Sequence, residues 1–145
     1  MMEKWLKLDT KKLNQPRHEK TSGVTTEIFL SPYDIPHAIR GSKEGNKYII
    51  EFKYIEEREP LETEVKSHNV ELKVGRNSGR LYVIEITSSP TIEKEGLEIK
   101  LHFSELSEAF IALRKKPHAS RRNDNYDLAK KVLIEKGDEL FVSAA

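Results

Sequence analysis

Cysteine is missing altogether from the 145 residues. That removes thiol nucleophiles, disulfides and thiolate metal sites together. Histidine does not fill the gap. His18, His37, His68, His102 and His118 fall at no spacing of two, three or four residues, so local zinc spacing is absent and neither metal nor cofactor is expected. A site assembled across strands from His68 and His102 with Glu71 or Glu98 is the remaining route to a metal, against solvent-facing histidines. No apolar run approaches the roughly 20 residues that span a bilayer. The opening "MMEKWLKLDTKKLNQPRHEK" has no apolar core of a secretory leader. The expectation is a cytoplasmic protein without membrane contact. One-signed charge is lacking too: 25 Lys and Arg face 24 Asp and Glu, a formal net charge of +1. No global field attracts nucleic acid, so any such binding needs a local patch.

What is present suits one folded unit. A chain of this size buries roughly 70% of the surface its unfolded form exposes, enough for a core without staples. Residues 1–22 are polar and lysine-rich, with Trp5, Leu6, Leu8 and Leu13 as apolar anchors. They read as a flexible N-terminal arm or as an edge strand or short helix. Residues 23–137 read as a single domain and 138–145 as a C-terminal tail.

Within the domain the dominant period is two. "VTTEIFLS" sets Val24, Thr26, Ile28 and Leu30 on one face. "KYIIEFKYI" sets Tyr48, Ile50, Phe52 and Tyr54 on one face. Val70, Leu72 and Val74 alternate with charges, as do Tyr82, Ile84 and Ile86 with their neighbours, and Leu97, Ile99, Leu101 and Phe103 with Glu98, Lys100 and His102. Such alternation predicts strands with one wet face. "SPYDIPHAIRGSKEGN", with its prolines and glycines, predicts a long connection. "EEREPLETE" predicts an acidic one, and its carboxylates Glu56, Glu57, Glu59, Glu62 and Glu64 share a solvated setting that does not suit acid–base catalysis. At Ser104 the period changes. Leu106, Ala109, Phe110 and Leu113 form a helical stripe capped by Ser104 and stopped by Pro117. A second helix is expected from about Asp124 or Asn125 to Lys136, with Gly137 as its stop. Strands first and helices last predict an α+β fold: an antiparallel sheet of about five strands with two C-terminal helices on one face.

"VGRNSGR" raises the question of a phosphate loop. Its glycines, Gly75 and Gly79, are four apart, and Arg80-Leu81 follows instead of Lys-Ser. The sequence beyond alternates as a strand, so no helix N-terminus waits for an anion. Asn77, Ser78 and Gly79 tolerate the left-handed backbone of a hairpin turn, and the turn is the expectation, with Arg76 and Arg80 solvated beside it. From Tyr48 to Ile86 the chain resembles a short uncharacterised bacterial β-meander family. There a strand, an acidic connection and a strand–turn–strand end in a Gly-Ile-Glu-Ile-like sequence, which "GRLYVIEI" matches except for Val83 and the Asn-Ser-Gly turn. The resemblance implies a meander and no chemistry.

Two clusters compete as sites. Tyr33, Asp34, His37 and Arg40 share one loop, where a helical turn after Pro36 would align His37 with Arg40 as a pocket for a ligand or reaction. Otherwise Tyr33 and Ile35 plug the core and Arg40 pairs with an acid. Arg114, Lys115, Lys116, Arg121 and Arg122 form an acid-free basic run that can grip phosphates or an acidic protein, or can be a solvated interhelical loop. Nothing assembles into a nucleophile, so the leading expectation is a non-enzymatic interaction module with a protein partner or self-association. Nucleic-acid association through residues 114–122 comes second, and a site on the 33–40 loop third.

Overall fold

The computed structural model describes residues 5–14, 16–56, 58–67, 69–87, 103–116 and 123–140. Strands β1 (Leu6–Lys7), β2 (Arg17–Thr21), β3 (Val24–Ile28), β4 (Ala38–Glu44), β5 (Lys47–Lys53), β6 (Leu61–Lys66), β7 (Val70–Gly75) and β8 (Leu81–Thr87) precede two long helices. A short helix α1 (Thr10–Leu13) follows β1, and a 3-10 turn (Pro32–Asp34) precedes β4. The long helices are α2 (Phe103–Arg114) and α3 (Asn123–Leu140). Six strands form one antiparallel sheet in the order β1-β4-β5-β8-β7-β6, and β2 pairs only with β3. This is an α+β fold.

Alternation sets the faces. Ile39, Ile50, Phe52, Leu72, Ile84 and Ile86 are buried together with Leu106, Phe110, Leu113, Val132 and Leu133 of the helices in one core. α2 lies over β6 and β7, and α3 over β4 and β8. The opposite face carries charge. Glu71 and Glu85 stand directly opposite each other, a repulsive pair, and Lys73 relieves it with Nζ 3.6 and 3.1 Å from their carboxylates. Burial alone would lower the Lys73 pKa, but the hydrogen bond and charge of Glu85, then of Glu71, hold it above its ordinary value.

The structure corrects several expectations. The 31–46 connection is half strand: Gly41 pairs with Ile50 inside the β4–β5 ladder, and only Gly45, at φ 60°, turns the chain. A glycine in a strand loses packing, but Ile39 and Ala38 anchor β4 in the core. The acidic connection ends in β6, an edge strand whose bulge falls between Thr63 and Val65. "VTTEIFLS" is a strand only to Ile28 and joins the separate ribbon, not the main sheet. Phe103 opens α2 and is not the end of a strand; residues 97–102 lie outside the described residues. Ser104 is therefore inside the helix and not its cap. α3 passes through Gly137, which is buried, and runs to Leu140, which packs against the core. Tertiary contact overrides the stop signal that an isolated helix would obey. Of the first 22 residues, Leu6 pairs with Ile39 and Leu13 is buried.

Ile84 sits at the centre, opposite Ile50 on one side and Leu72 on the other, and is fully buried. Ile84→Ala is expected to cost about 2–5 kcal/mol in urea unfolding; a loss below about 1 kcal/mol would mean the core is loosely packed there.

Candidate functional site

The four loop candidates do not converge. His37 to Arg40 is extended chain entering β4, and in a strand residues three apart face opposite ways. The expected helical turn lies earlier, at Pro32–Asp34, where the Ser31 hydroxyl accepts from the Tyr33 N–H. Tyr33 itself is 47% exposed, while Ile35 is buried. Arg40 turns to the charged face, where Nη2 lies 3.2 Å from both oxygens of Glu51. The Trp5 ring stacks on its guanidinium at 4.3 Å.

Asp34 goes elsewhere. Its Oδ1 accepts from Arg80 Nε at 2.7 Å, and Arg80 is 7% exposed. Arg80 is thus not a solvated residue beside the turn. Burial alone would lower its pKa, but the hydrogen bond and charge of Asp34 outweigh this and hold it above its ordinary value. Beside the pair lies a set of aromatic hydroxyls. The buried Tyr54 hydroxyl donates to the Leu81 carbonyl at 2.7 Å and accepts from Asn125 Nδ2 at 3.0 Å. Burial pushes this hydroxyl far above its ordinary range, so it stays protonated. Asn125 Nδ2 also donates to the Asp34 carbonyl, its Oδ1 accepts from the Leu81 N–H, and the Tyr126 hydroxyl donates to the Gly79 carbonyl. The donors and acceptors of this network are satisfied from within.

The glycine loop is the hairpin turn between β7 and β8, with Gly79 at φ 75°. It nevertheless holds an anion, and the anion is Glu59. The N–H groups of Asn77 and Ser78 donate to its Oε1 at 2.6 and 2.8 Å, and the Tyr82 hydroxyl to Oε2 at 3.2 Å. A Cβ at Gly75 would run into this carboxylate, so any larger residue there would push the Glu59 side chain aside. Burial alone would raise the Glu59 pKa, but the hydroxyl and N–H of Ser78, the N–H of Asn77 and the Tyr82 hydroxyl hold it below its ordinary 4.5. The sequence places Glu59 in a solvated acidic run; a carboxylate 18 and 19 residues from two turn N–H groups leaves no local pattern.

Two clefts flank the network. One, about 340 Å3, is walled by Asn14, Phe29, Pro32, Ile35 and His37. Asn14 clamps it from behind, accepting from the Leu30 N–H and donating to the Leu30 carbonyl. His37 Nε2 is sealed from water there and has no hydrogen-bond partner. The other, about 260 Å3, opens on the charged face and is lined by Trp5, Arg40, Lys53, Ile55, Arg58 and Tyr82. Ile55 is 52% exposed at its rim. Arg58 shares Glu51 with Arg40, at 3.2 Å, and Lys53 Nζ lies 5.7 Å from the Trp5 ring.

In the basic run, Arg114 is paired with Asp127 at 2.9 Å. The N–H groups of Lys115 and Lys116 close the end of α2 on Ala112 and Leu113. Arg121, Arg122 and His118 lie outside the described residues, as does His68. Among the described residues no three His, Asp or Glu side chains gather as metal ligands would, and no helix is long and apolar enough to cross a membrane. No family model, curated protein or solved structure matches the chain.

Two outcomes follow from these contacts. Glu59→Gln is expected to destabilise by about 1–2 kcal/mol at neutral pH, below the roughly 1.5–3 kcal/mol of hydrogen bonds to a charged group because the carboxylate is partly solvated. The folded-state pKa of Glu59 lies below its unfolded value. Its contribution is therefore complete above the unfolded pKa and fades as pH falls through the folded one. Urea unfolding should show wild type and variant converging in acid; a constant gap across that range would contradict the ion's role. His37→Leu removes an orphaned polar atom and is expected to raise stability by about 1 kcal/mol; a lowered urea midpoint would show that the imidazole makes a stabilising contact.

Proposed function

We propose that this chain is a non-enzymatic cytoplasmic interaction module, and that its partner docks on the cleft at Trp5. One observation carries the reading. The groups able to do chemistry are engaged inside the fold: Asp34 by Arg80, Tyr54 by Asn125 and Leu81, Glu59 by its turn. The groups left at the surface are of the kind that dominate binding energy. Trp and Arg are enriched in interface hot spots, and Trp5, Arg40 and Arg58 line this one cleft, with the buried Tyr82 in its wall.

The cleft is already arranged for contact. Trp5 is held by two cations over its ring and is half-buried instead of sitting in the core, so little side-chain freedom remains to be lost on docking. A space of about 260 Å3 takes one large side chain. Arg58, 53% exposed, and Lys53 stand at the rim. The partner that fits presents an apolar side chain against Trp5 and Ile55 and a carboxylate against Lys53 or Arg58. The alternative, nucleic-acid binding through residues 114–122, has weaker support. Arg114 already neutralises Asp127, and among the described residues only Lys115 and Lys116 remain of that run.

A photoreactive benzoylphenylalanine at Ile55 is expected to capture one discrete protein in living cells. The same group at Ile134, 57% exposed on α3, is expected to give background. Trp5→Ala with Arg58→Glu should reduce the capture at least about tenfold, equivalent to about 1.4 kcal/mol. Equal labelling from Ile55 and Ile134, or capture indifferent to the double variant, would remove this surface from consideration.

A further inference from the structure

The ribbon of β2 and β3 stands apart from the main sheet, and no other described strand joins it. Residues 20–27 are all exposed, Val24 at 63%. A two-stranded ribbon wet on every side is marginally stable in water. This one is nevertheless well formed. Asn14 and Leu30 clamp its base through two hydrogen bonds. At its tip Ser22 and Gly23 take φ 52° and 81°, the pattern of a type I′ turn, which fixes the register with Thr21 opposite Val24.

That register decides which backbone groups are free. With a two-residue turn, Thr21–Val24 is a hydrogen-bonded pair, and so is every second pair beyond it, including Glu19–Thr26. The N–H and C=O of Thr25 and Glu27 therefore point away from β2, to an edge that no other described strand takes up. Edges of this kind are normally blunted with lysine, proline or a bulge. β2 follows the rule: its outward residues are His18 and Lys20. β3, "VTTEI", carries none of these devices and is built of β-branched residues apart from Glu27.

We propose that the β3 edge pairs antiparallel with the β3 edge of a second copy of this chain, about a twofold axis through Thr26. Thr25 of each copy then exchanges both backbone hydrogen bonds with Glu27 of the other, and the two Thr26 residues face each other. The result is a four-stranded sheet in the order β2-β3-β3-β2. Charge and backbone select this axis. A twofold through Glu27 sets two carboxylates face to face, which is repulsive. A twofold through Thr25 needs Gly23 in the ladder, and Gly23 at φ 81° is committed to the turn. With the axis at Thr26, His18 lies opposite its own Glu27 and Lys20 opposite its own Thr25. Lys20 of each outer strand thus stands in the row that holds the other copy's Glu27 carboxylate. On the other face, positions 24 and 28 of opposite copies meet, both branched aliphatics in the sequence. Two five-residue strands bury less than the roughly 1,200 Å2 of a stable complex, so the dimer is weak and dilution dissociates it. This pairing does not rest on the Trp5 cleft.

Sedimentation velocity on the full chain, from about 10 µM to about 1 mM, reads the equilibrium. Wild type is expected to move from monomer to dimer across that range. Thr25→Pro deletes an outward N–H and leaves the intrachain ladder whole, since proline is tolerated where the N–H faces solvent. It is expected to stay monomeric throughout. Thr26→Val keeps every backbone bond and is expected to dimerise like wild type. Amide exchange supplies a second reading that misfolding does not imitate. The Thr25 and Glu27 amides should exchange fast in dilute wild type and slow at least about tenfold at high concentration. A wild type that stays monomeric at the top of the range overturns the proposal. So does a dimer that survives Thr25→Pro, or a wild-type dimer in which the Thr25 and Glu27 amides keep exchanging fast.

Discussion

One carboxamide holds the end of this fold together. Asn125, near the start of α3 and 1% exposed, reaches the Asp34 carbonyl, the Tyr54 hydroxyl and the Leu81 N–H at once. Those partners belong to the 3-10 turn, the end of β5 and the start of β8. An amide offers donor and acceptor on one planar group, which a hydroxyl or a carboxylate does not match here. Because Asn125 brings α3 down onto the sheet at this point, Arg80 is covered, and a covered arginine requires a counter-ion. Asp34 supplies it. The ion pair then keeps the 31–37 segment against the sheet, which in turn seats His37 between β1 and β5 through the Leu8 N–H and the Lys53 carbonyl.

How far this was legible depended on whether the deciding signal was local. β5 and β7 read clearly because their burial alternates with the same period as their apolar residues; β8 read as a strand from its apolar period, although its burial runs unbroken from Leu81 to Ile84. The stripe of α2 read clearly for the equivalent helical reason. β4 was hidden. Gly41 lies in "RGSKEG", where local propensity points to a loop, and only its neighbours across β5 make it a strand. β6 was hidden behind Pro60 and its own carboxylates, since an edge strand tolerates charge. The bulge where Val74 pairs with Leu81 was invisible as well. It turns Leu81 into the core and leaves Tyr82 beside Glu59 and the Trp5 cleft, so a one-residue irregularity decides which aromatic reaches that surface.

The site was less legible than the fold, and for a related reason. Closeness in sequence suggested that Asp34, His37 and Arg40 act together. A strand's alternation and a change of backbone conformation at Ile35 send them to three surroundings. The partners that matter lie 46 residues away for Asp34 and 11 for Arg40. Arginine and aspartate announce themselves in any sequence; their pairing does not.

The glycine turn shows the same limit from the other side. Consecutive backbone N–H groups in a tight turn form a concave anion seat whether or not a nucleotide is involved. Helix position and glycine spacing pointed to a hairpin turn, and the turn is there, but they said nothing about the seat itself. Here the chain fills it with its own Glu59, and glycine at position 75 lets that carboxylate sit close against the backbone of the turn. An internal anion of this kind converts a would-be binding feature into a structural clasp. It ties the acidic connection to the β7–β8 hairpin, where the Arg76 N–H also reaches the Pro60 carbonyl. With the connection fixed, Arg58 is brought to within hydrogen-bonding distance of Glu51, and the rim of the Trp5 cleft acquires its second arginine. The clasp that removes one potential site is thus the element that shapes another.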